Sequence, residues 1–264
     1  MQGDFARRPT LGGVLAAVLG LALFIYFLQR AGVADVVDGI RRLGWAFVVV
    51  VALGGIRFVI RAAAWMRCLD GPHRLTLGQV FQAVAAGDAL GNLTPLSIMV
   101  SEPAKGMFLR HREPLSRTLP ALAVENLFYT LSAMFVIGGG LVAALLMVQT
   151  SGQLWLTTTA IVTAMVFLVT TAHWVIWNHI PLGSATLIWL QRRGIVPHAM
   201  EGVTNRIRRF EDHIHALYPR DSGRLVPLAL LEFSFHALAI VEVFIVLSIV
   251  SGQPTTLQTF IAPQ

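Results

Sequence analysis

Charge is scarce in this chain. Asp, Glu, Lys and Arg make up 13% of its 264 residues, and apolar residues 55%. That charged share is about half of what soluble globular proteins carry. A soluble chain of this length would bury one or two cores and still need a charged coat to stay dissolved, so a soluble fold is excluded. Cys68 is the single cysteine, which rules out an internal disulfide and any multi-cysteine metal site. Lys105 is the single lysine, and every other basic side chain except histidine is arginine. No GxSxG, HExxH or P-loop pattern occurs. Glu232 and His236, four residues apart, put two ligand types on one helix face, but no second His/Glu cluster at ligand spacing accompanies them. Neither a metal nor a cofactor is expected, and nucleotide-driven pumping has no motif to support it.

What the chain does have is long apolar runs separated by short charged stretches. A run of roughly 20 apolar residues crosses about 30 Å of hydrocarbon as a helix. Lipid supplies no water for backbone groups, so such runs imply helices rather than open strands. The expected fold class is therefore all-α: one integral membrane domain over residues 1–264, with about five full spans, a re-entrant helical hairpin and interfacial amphipathic helices. The spans are expected over residues 11–28, 45–69, 115–148, 154–177 and 225–250. The first is longer than a signal-peptide core and lacks a clear small-x-small cleavage site, so it reads as a retained span. Ser116 is the expected cap of the third. Gly138-Gly139-Gly140 within it marks a kink or, better, small-residue helix packing. Residues 256–261 begin another apolar piece that stops at Gln264, an ending that reads as unfinished.

Two segments are amphipathic. Residues 33–43 carry Asp35, Asp38, Arg41 and Arg42 on one side. In the polar segment 178–224, Val203, Ile207, Phe210, Ile214 and Leu217 recur at helical spacing, as in a helix resting on the bilayer face. Residues 75–112 are different. A half-length helix over 77–90 breaks at Gly91-Asn92-Leu93-Thr94-Pro95, resumes to Val100, breaks again at Ser101-Glu102-Pro103, and ends in a short basic helix over 104–112. Two half-length apolar pieces around a polar breaker fit a re-entrant hairpin, which membrane depth tolerates only where protein or water surrounds the backbone. A hairpin lying on the surface is the alternative.

If that hairpin returns to the side it left, Arg7, Arg8, the stretches 67–74 and 105–117 and the segment 178–224 share one side. The positive-inside rule makes that side the cytoplasm, with the N-terminus there and Arg41 and Arg42 as the exceptions. The net charge of +6 thus reflects topology and attraction to anionic lipid, and no nucleic-acid partner is expected.

Ionisable groups at membrane depth are costly unless paired or wetted, so each is a functional candidate. Arg57 and Arg61 lie four apart on one helix face, Glu125 and Asn126 sit three turns into theirs, Glu232 and His236 share a face, and Glu242 lies deeper. His173 stands near the end of its span. Two arrangements satisfy this set. The groups either surround a wet cavity or neutralise one another in dry pairs, Arg57 or Arg61 against Glu125 or Glu232. A buried pair by itself does not establish function.

The order Gly91-Asn92-Leu93-Thr94-Pro95, Ser101-Glu102-Pro103-Ala104-Lys105-Gly106, Leu109-Arg110, Leu115-Ser116-Arg117 and Val124-Glu125-Asn126-Leu127 resembles the flippase-like transmembrane region of lysylphosphatidylglycerol synthases and its stand-alone relatives. The resemblance implies a helical membrane protein that moves lipids or lipid-linked molecules between leaflets. Pro95, Glu102, Lys105, Arg110 and Glu125 match the family pattern. Asn126 departs from it, since arginine is usual there, which puts an ion-pair role at that position in doubt. The chain also stops short of the family's usual last spans. With no soluble aminoacyltransferase domain, transfer of lysine to lipid is not implied.

Three functions follow from this reading. In the first, Lys105, Arg110 and Arg112 gather anionic head groups, which pass Asn92, Thr94, Pro95, Glu102, Glu125 and Asn126, with Arg57 and Arg61 as phosphate counter-charges and Glu232 and His236 nearby. In the second, the chain is a scaffold that docks a cytoplasmic lipid-synthesis enzyme through residues 178–224. In the third, it is an intramembrane lipid-modifying enzyme. Membrane lipids are partners in all three, the cell inner membrane is the expected location, and a homo-oligomer is allowed.

Overall fold

The computed structural model describes residues 22, 25–30, 32–69, 71, 74–93, 97–147, 152–195, 197, 201–218 and 222–250. Among these there is helix and no strand. The helices are α1 (Val33–Leu43), α2 (Ala46–Cys68), α3 (Leu77–Asn92), α4 (Ser97–Leu109), α5 (Leu115–Met147), α6 (Gly152–Trp177), α7 (Leu182–Arg192), α8 (Glu201–Leu217) and α9 (Ser222–Val250).

Among the described residues, four helices are long and apolar enough to cross a bilayer: α2, α5, α6 and, within α9, Gly223–Ile249. Most of the span expected over residues 11–28 and the piece at 256–261 lie outside the described residues. The exterior of the four is apolar. Phe135, Leu146, Leu156, Phe167 and Trp174 are all more than half exposed, and α6 has no buried residue at all. In water this surface would be a very large apolar patch; in lipid it is the expected solvent-facing side. The protein is a multi-pass helical membrane protein.

The packed core lies where α2, the α3–α4 pair, α5 and α9 meet. Ala62, Trp65, Val80, Val84, Leu109, Val124, Phe128 and Leu228 belong to it. Trp65 is buried among them and donates its indole N–H to the Thr118 carbonyl at 3.3 Å. A capping box between Thr76 and Gln79 starts α3.

α3 and α4 pack against each other as the hairpin expected from the sequence, and both also pack on spanning helices. Glycine makes this possible. A Cβ at Gly87 would collide with Lys105 Cγ and lie 3.0 Å from the Ser101 carbonyl, and one at Gly106 would sit 2.7 Å from Leu119 Cδ2. Gly87→Val should therefore overpack the hairpin and cost about 1–3 kcal/mol. The purified protein would melt at lower temperature, whereas Gly140→Ala, where nothing lies within 4 Å, should melt as wild type does.

Three local expectations are corrected. The second break at Ser101-Glu102-Pro103 does not occur, because α4 runs unbroken through Pro103. Proline removes one helical hydrogen bond, but side-chain bonds from Ser101 and Lys105 to α3 hold both flanks of the helix. Ser116 does not cap α5; the Pro114 carbonyl accepts from the Thr118 amide at 3.2 Å, and Ser116 lies inside the helix. Gly138, Gly139 and Gly140 make no close contact, since no atom lies within 4 Å of a Cβ position there. The first two instead line an apolar groove of about 340 Å³ between α5 and α6.

The segment 178–224 folds as α7 and α8. Glu211 of α8 accepts from the Gly183 amide at 2.6 Å and the Ser184 hydroxyl at 2.6 Å, which ties the start of α7 down. The apolar stripe of α8 is divided. Ile214 and Leu217 pack on the core, while Val203 and Phe210 stay exposed, as a helix facing both bundle and lipid requires.

Candidate functional site

The charges foreseen at membrane depth do converge. A hollow of about 730 Å³ is lined by Arg57, Arg61, Asp88, Asn92, Ser101, Glu102, Asn126, Tyr129, Thr130, Phe235 and Glu242, among others. Four elements build it: α2, the hairpin, α5 and α9. Arg57 is eleven residues from either end of α2, about 16 Å by helical rise, so the hollow reaches the midpoint of that apolar helix. Asn92 and Thr130 on its lining are exposed.

Arg61 is the hub. Its Nε donates to Glu125 Oε1 at 2.9 Å and its Nη2 to Asn126 Oδ1 at 2.7 Å. Asp88 stands 4.0 Å from its Nη1 and Glu102 4.0 Å from the same Nη2, and the guanidinium lies 4.3 Å from the Tyr129 ring centroid. The planar fork serves several acceptors at once, as an ammonium cannot. Arg57, one turn earlier, donates to Glu242 Oε2 at 2.8 Å and stacks 4.4 Å over the Phe235 ring. Its Nε is buried with no hydrogen-bond partner among the described residues. Of the pairings considered from sequence, Arg61 with Glu125 forms; Arg57 takes Glu242, and Glu232 takes neither arginine in a hydrogen bond.

The hairpin carries the second charge cluster. Lys105 Nζ stands 2.8 Å from both Asp88 Oδ1 and Glu102 Oε1. Ser101 donates to Asp88 at 2.8 Å, and Glu102 Oε2 accepts from the Asn126 amide at 2.7 Å. Asn126 therefore bridges Arg61 to Glu102. The asparagine that departs from the family pattern is a hydrogen-bond relay within the charge network.

Several expected roles change with placement. Lys105 is fully buried, so it is no surface collector of head groups; it neutralises the hairpin's own acids. Arg110 and Arg112 lie beyond the end of α4, away from the hollow's lining, and Arg112 is exposed. His236 is outside the lining too, packed on the Tyr129 ring with centroids 5.0 Å apart. Thr94 and Pro95 lie outside the described residues. Glu125 and Glu232 are buried beneath the hollow, not on its wall.

Asp88, Tyr129 and Phe235 were missed from sequence. Asp88 was detectable, as an acid inside an apolar half-helix falls under the same membrane-depth rule that flagged the others. The aromatic pair had no local signal, because their role depends on which arginine they face.

No group of three or more His, Cys, Asp or Glu side chains among the described residues could hold a metal ion. No curated protein and no solved structure matches this chain. The sequence model of one family, described as lysylphosphatidylglycerol synthase TM region, matches residues 12–262. With nearly its whole length matched, this multi-pass protein belongs to the family of the lysylphosphatidylglycerol synthase transmembrane region, membrane domains with a lipid-related role.

Proposed function

We propose that the protein moves a lipid or lipid-linked molecule with an anionic head group between leaflets. The observation that carries this reading is the hollow itself, a polar space of about 730 Å³ at membrane depth with two arginines on its wall. A sealed structural ion pair needs no such space. The carboxylates now held by Arg57 and Arg61 present the same two-oxygen geometry that a phosphodiester offers. A head group can therefore replace Glu242 or Glu125 at the guanidinium while the acyl chains stay in lipid.

The cell inner membrane is the proposed location, with the N-terminus in the cytoplasm. With α2, α5, α6 and α9 as spans and the hairpin returning, Arg67, Arg74, Arg112, Arg117, Arg192 and Arg208 fall on one side, as the positive-inside rule requires of a cytoplasmic face. Arg110 and Arg112 on that face supply long-range attraction for anionic lipid rather than direct binding.

Proteoliposomes with a fluorescent phosphatidylglycerol and an impermeant quencher test this. Wild-type protein should expose inner-leaflet probe faster than empty vesicles, and Arg57→Ala and Glu102→Ala should lose that excess while still purifying as folded protein. Wild-type rates in both variants would contradict it.

A further inference from the structure

The charges in and beneath the hollow do not balance. Arg57, Arg61 and Lys105 are three cations against five carboxyls, those of Asp88, Glu102, Glu125, Glu232 and Glu242. Every one of these acids except Glu232 stands within 4.0 Å of a cation. Glu232 is 1% exposed, and neither of its oxygens has a hydrogen-bond partner among the described residues. Glu125 on α5 is fully buried and has one oxygen bonded to Arg61 and the other without a hydrogen-bond partner among the described residues.

The groups acting on Glu232 come from each neighbouring span. Arg61 and Glu125 act on it from α2 and α5, Cys68 of α2 lies within electrostatic reach of both acids, and His236 follows one turn on. Lys105 and Glu102 of the hairpin act on Glu125. One guanidinium therefore faces two buried carboxyls. A second bare carboxylate in that apolar setting is costly with no partner to offset it; a proton on Glu232 removes that cost.

We propose that Glu232 and Glu125 form a proton-holding pair whose occupancy is linked to anion binding at Arg61. It rests on the transport reading and supplies the coupling ion that reading lacks. When a head-group phosphate draws Arg61 away, the Arg61 Nε–H bond to Glu125 breaks and the phosphate oxygen accepts that N–H instead. Glu125 then loses its counter-charge and takes up a proton, so anion and proton enter the protein together. The acid surplus requires this step, since with one proton on the pair three cations still face four carboxylates, and an added anion meets net negative charge. Linkage makes the effect reciprocal: low pH favours the anion, and the anion favours the proton.

Binding to the purified full chain tests it, with dioctanoyl phosphatidylglycerol and glycerophosphoglycerol as probes, since neither titrates in the neutral range. Affinity for the lipid should rise by up to about tenfold per unit fall in pH, the limit for one linked proton, and the slope should vanish in Glu125→Gln. The same slope with glycerophosphoglycerol would assign it to the head group. An unchanged slope in Glu125→Gln, or tight binding with no slope in wild type, overturns the proton proposal and leaves transport standing. If the wild type binds neither probe at any pH, the transport reading fails, and infrared spectroscopy decides the pair on its own. A protonated-carboxyl C=O band at neutral pH, lost in Glu232→Gln, would support the proton; absence of that band in wild type would overturn it.

Discussion

Replacing Arg61 by alanine should both destabilise the protein and abolish lipid movement. Glu125 is fully buried, and Arg61 is its hydrogen-bonded counter-ion at 2.9 Å. Removing one partner of a buried pair leaves an uncompensated charge, at a cost of about 3–5 kcal/mol. Adding Glu125→Gln to Arg61→Ala should recover most of the thermal stability without restoring transport. That separation of stability from activity is what a merely structural pair would not show. Arg61→Lys should fold, yet move lipid at a small fraction of the wild-type rate, because one ammonium cannot serve Glu125, Asn126 and the Tyr129 face together. Melting curves and the proteoliposome assay read both effects.

Lys105→Met should be comparably damaging for a different reason. Methionine nearly conserves volume in the space beside Gly87, so the loss isolates the charge. Asp88 and Glu102 would lose an ammonium 2.8 Å from each and keep only Arg61, 4.0 Å from each, at a cost of about 3 kcal/mol. Asp88→Asn and Glu102→Gln in the same chain should bring the melting temperature back toward wild type. If Lys105→Met alone melted as wild type does, the hairpin would not depend on this cluster.

The large features were legible because they rest on length and local chemistry. Runs of about 20 apolar residues could be nothing but spans, and the break near Gly91 between two half-length pieces signalled that α3 and α4 pair as a hairpin. Tertiary context escaped. Pro103 was read by the local rule for proline, but α4 is held by bonds from Ser101 and Lys105 to a different helix. Lys105 was grouped with Arg110 and Arg112 by composition. Its i,i+3 spacing from Glu102 was the available sign that it faces an acid. Arg57 and Glu242 are 185 residues apart, and no periodicity within either helix selects that pairing over Arg57 with Glu125. Asn126 bridges Arg61 and Glu102, so a position judged by its missing charge contributes through both ends of its amide instead.

Water access to the hollow is the decisive property, and single-cysteine labelling in intact membranes measures it. With Cys68, the single native thiol and a buried one, replaced by alanine, cysteines at Asn126 and Thr130 should react with an impermeant thiol reagent. One at Phe167, exposed on the apolar face of α6, should stay unlabelled in lipid. Were Asn126 and Thr130 as inert as Phe167, the arginines would sit in dry pairs and no route for a head group would exist.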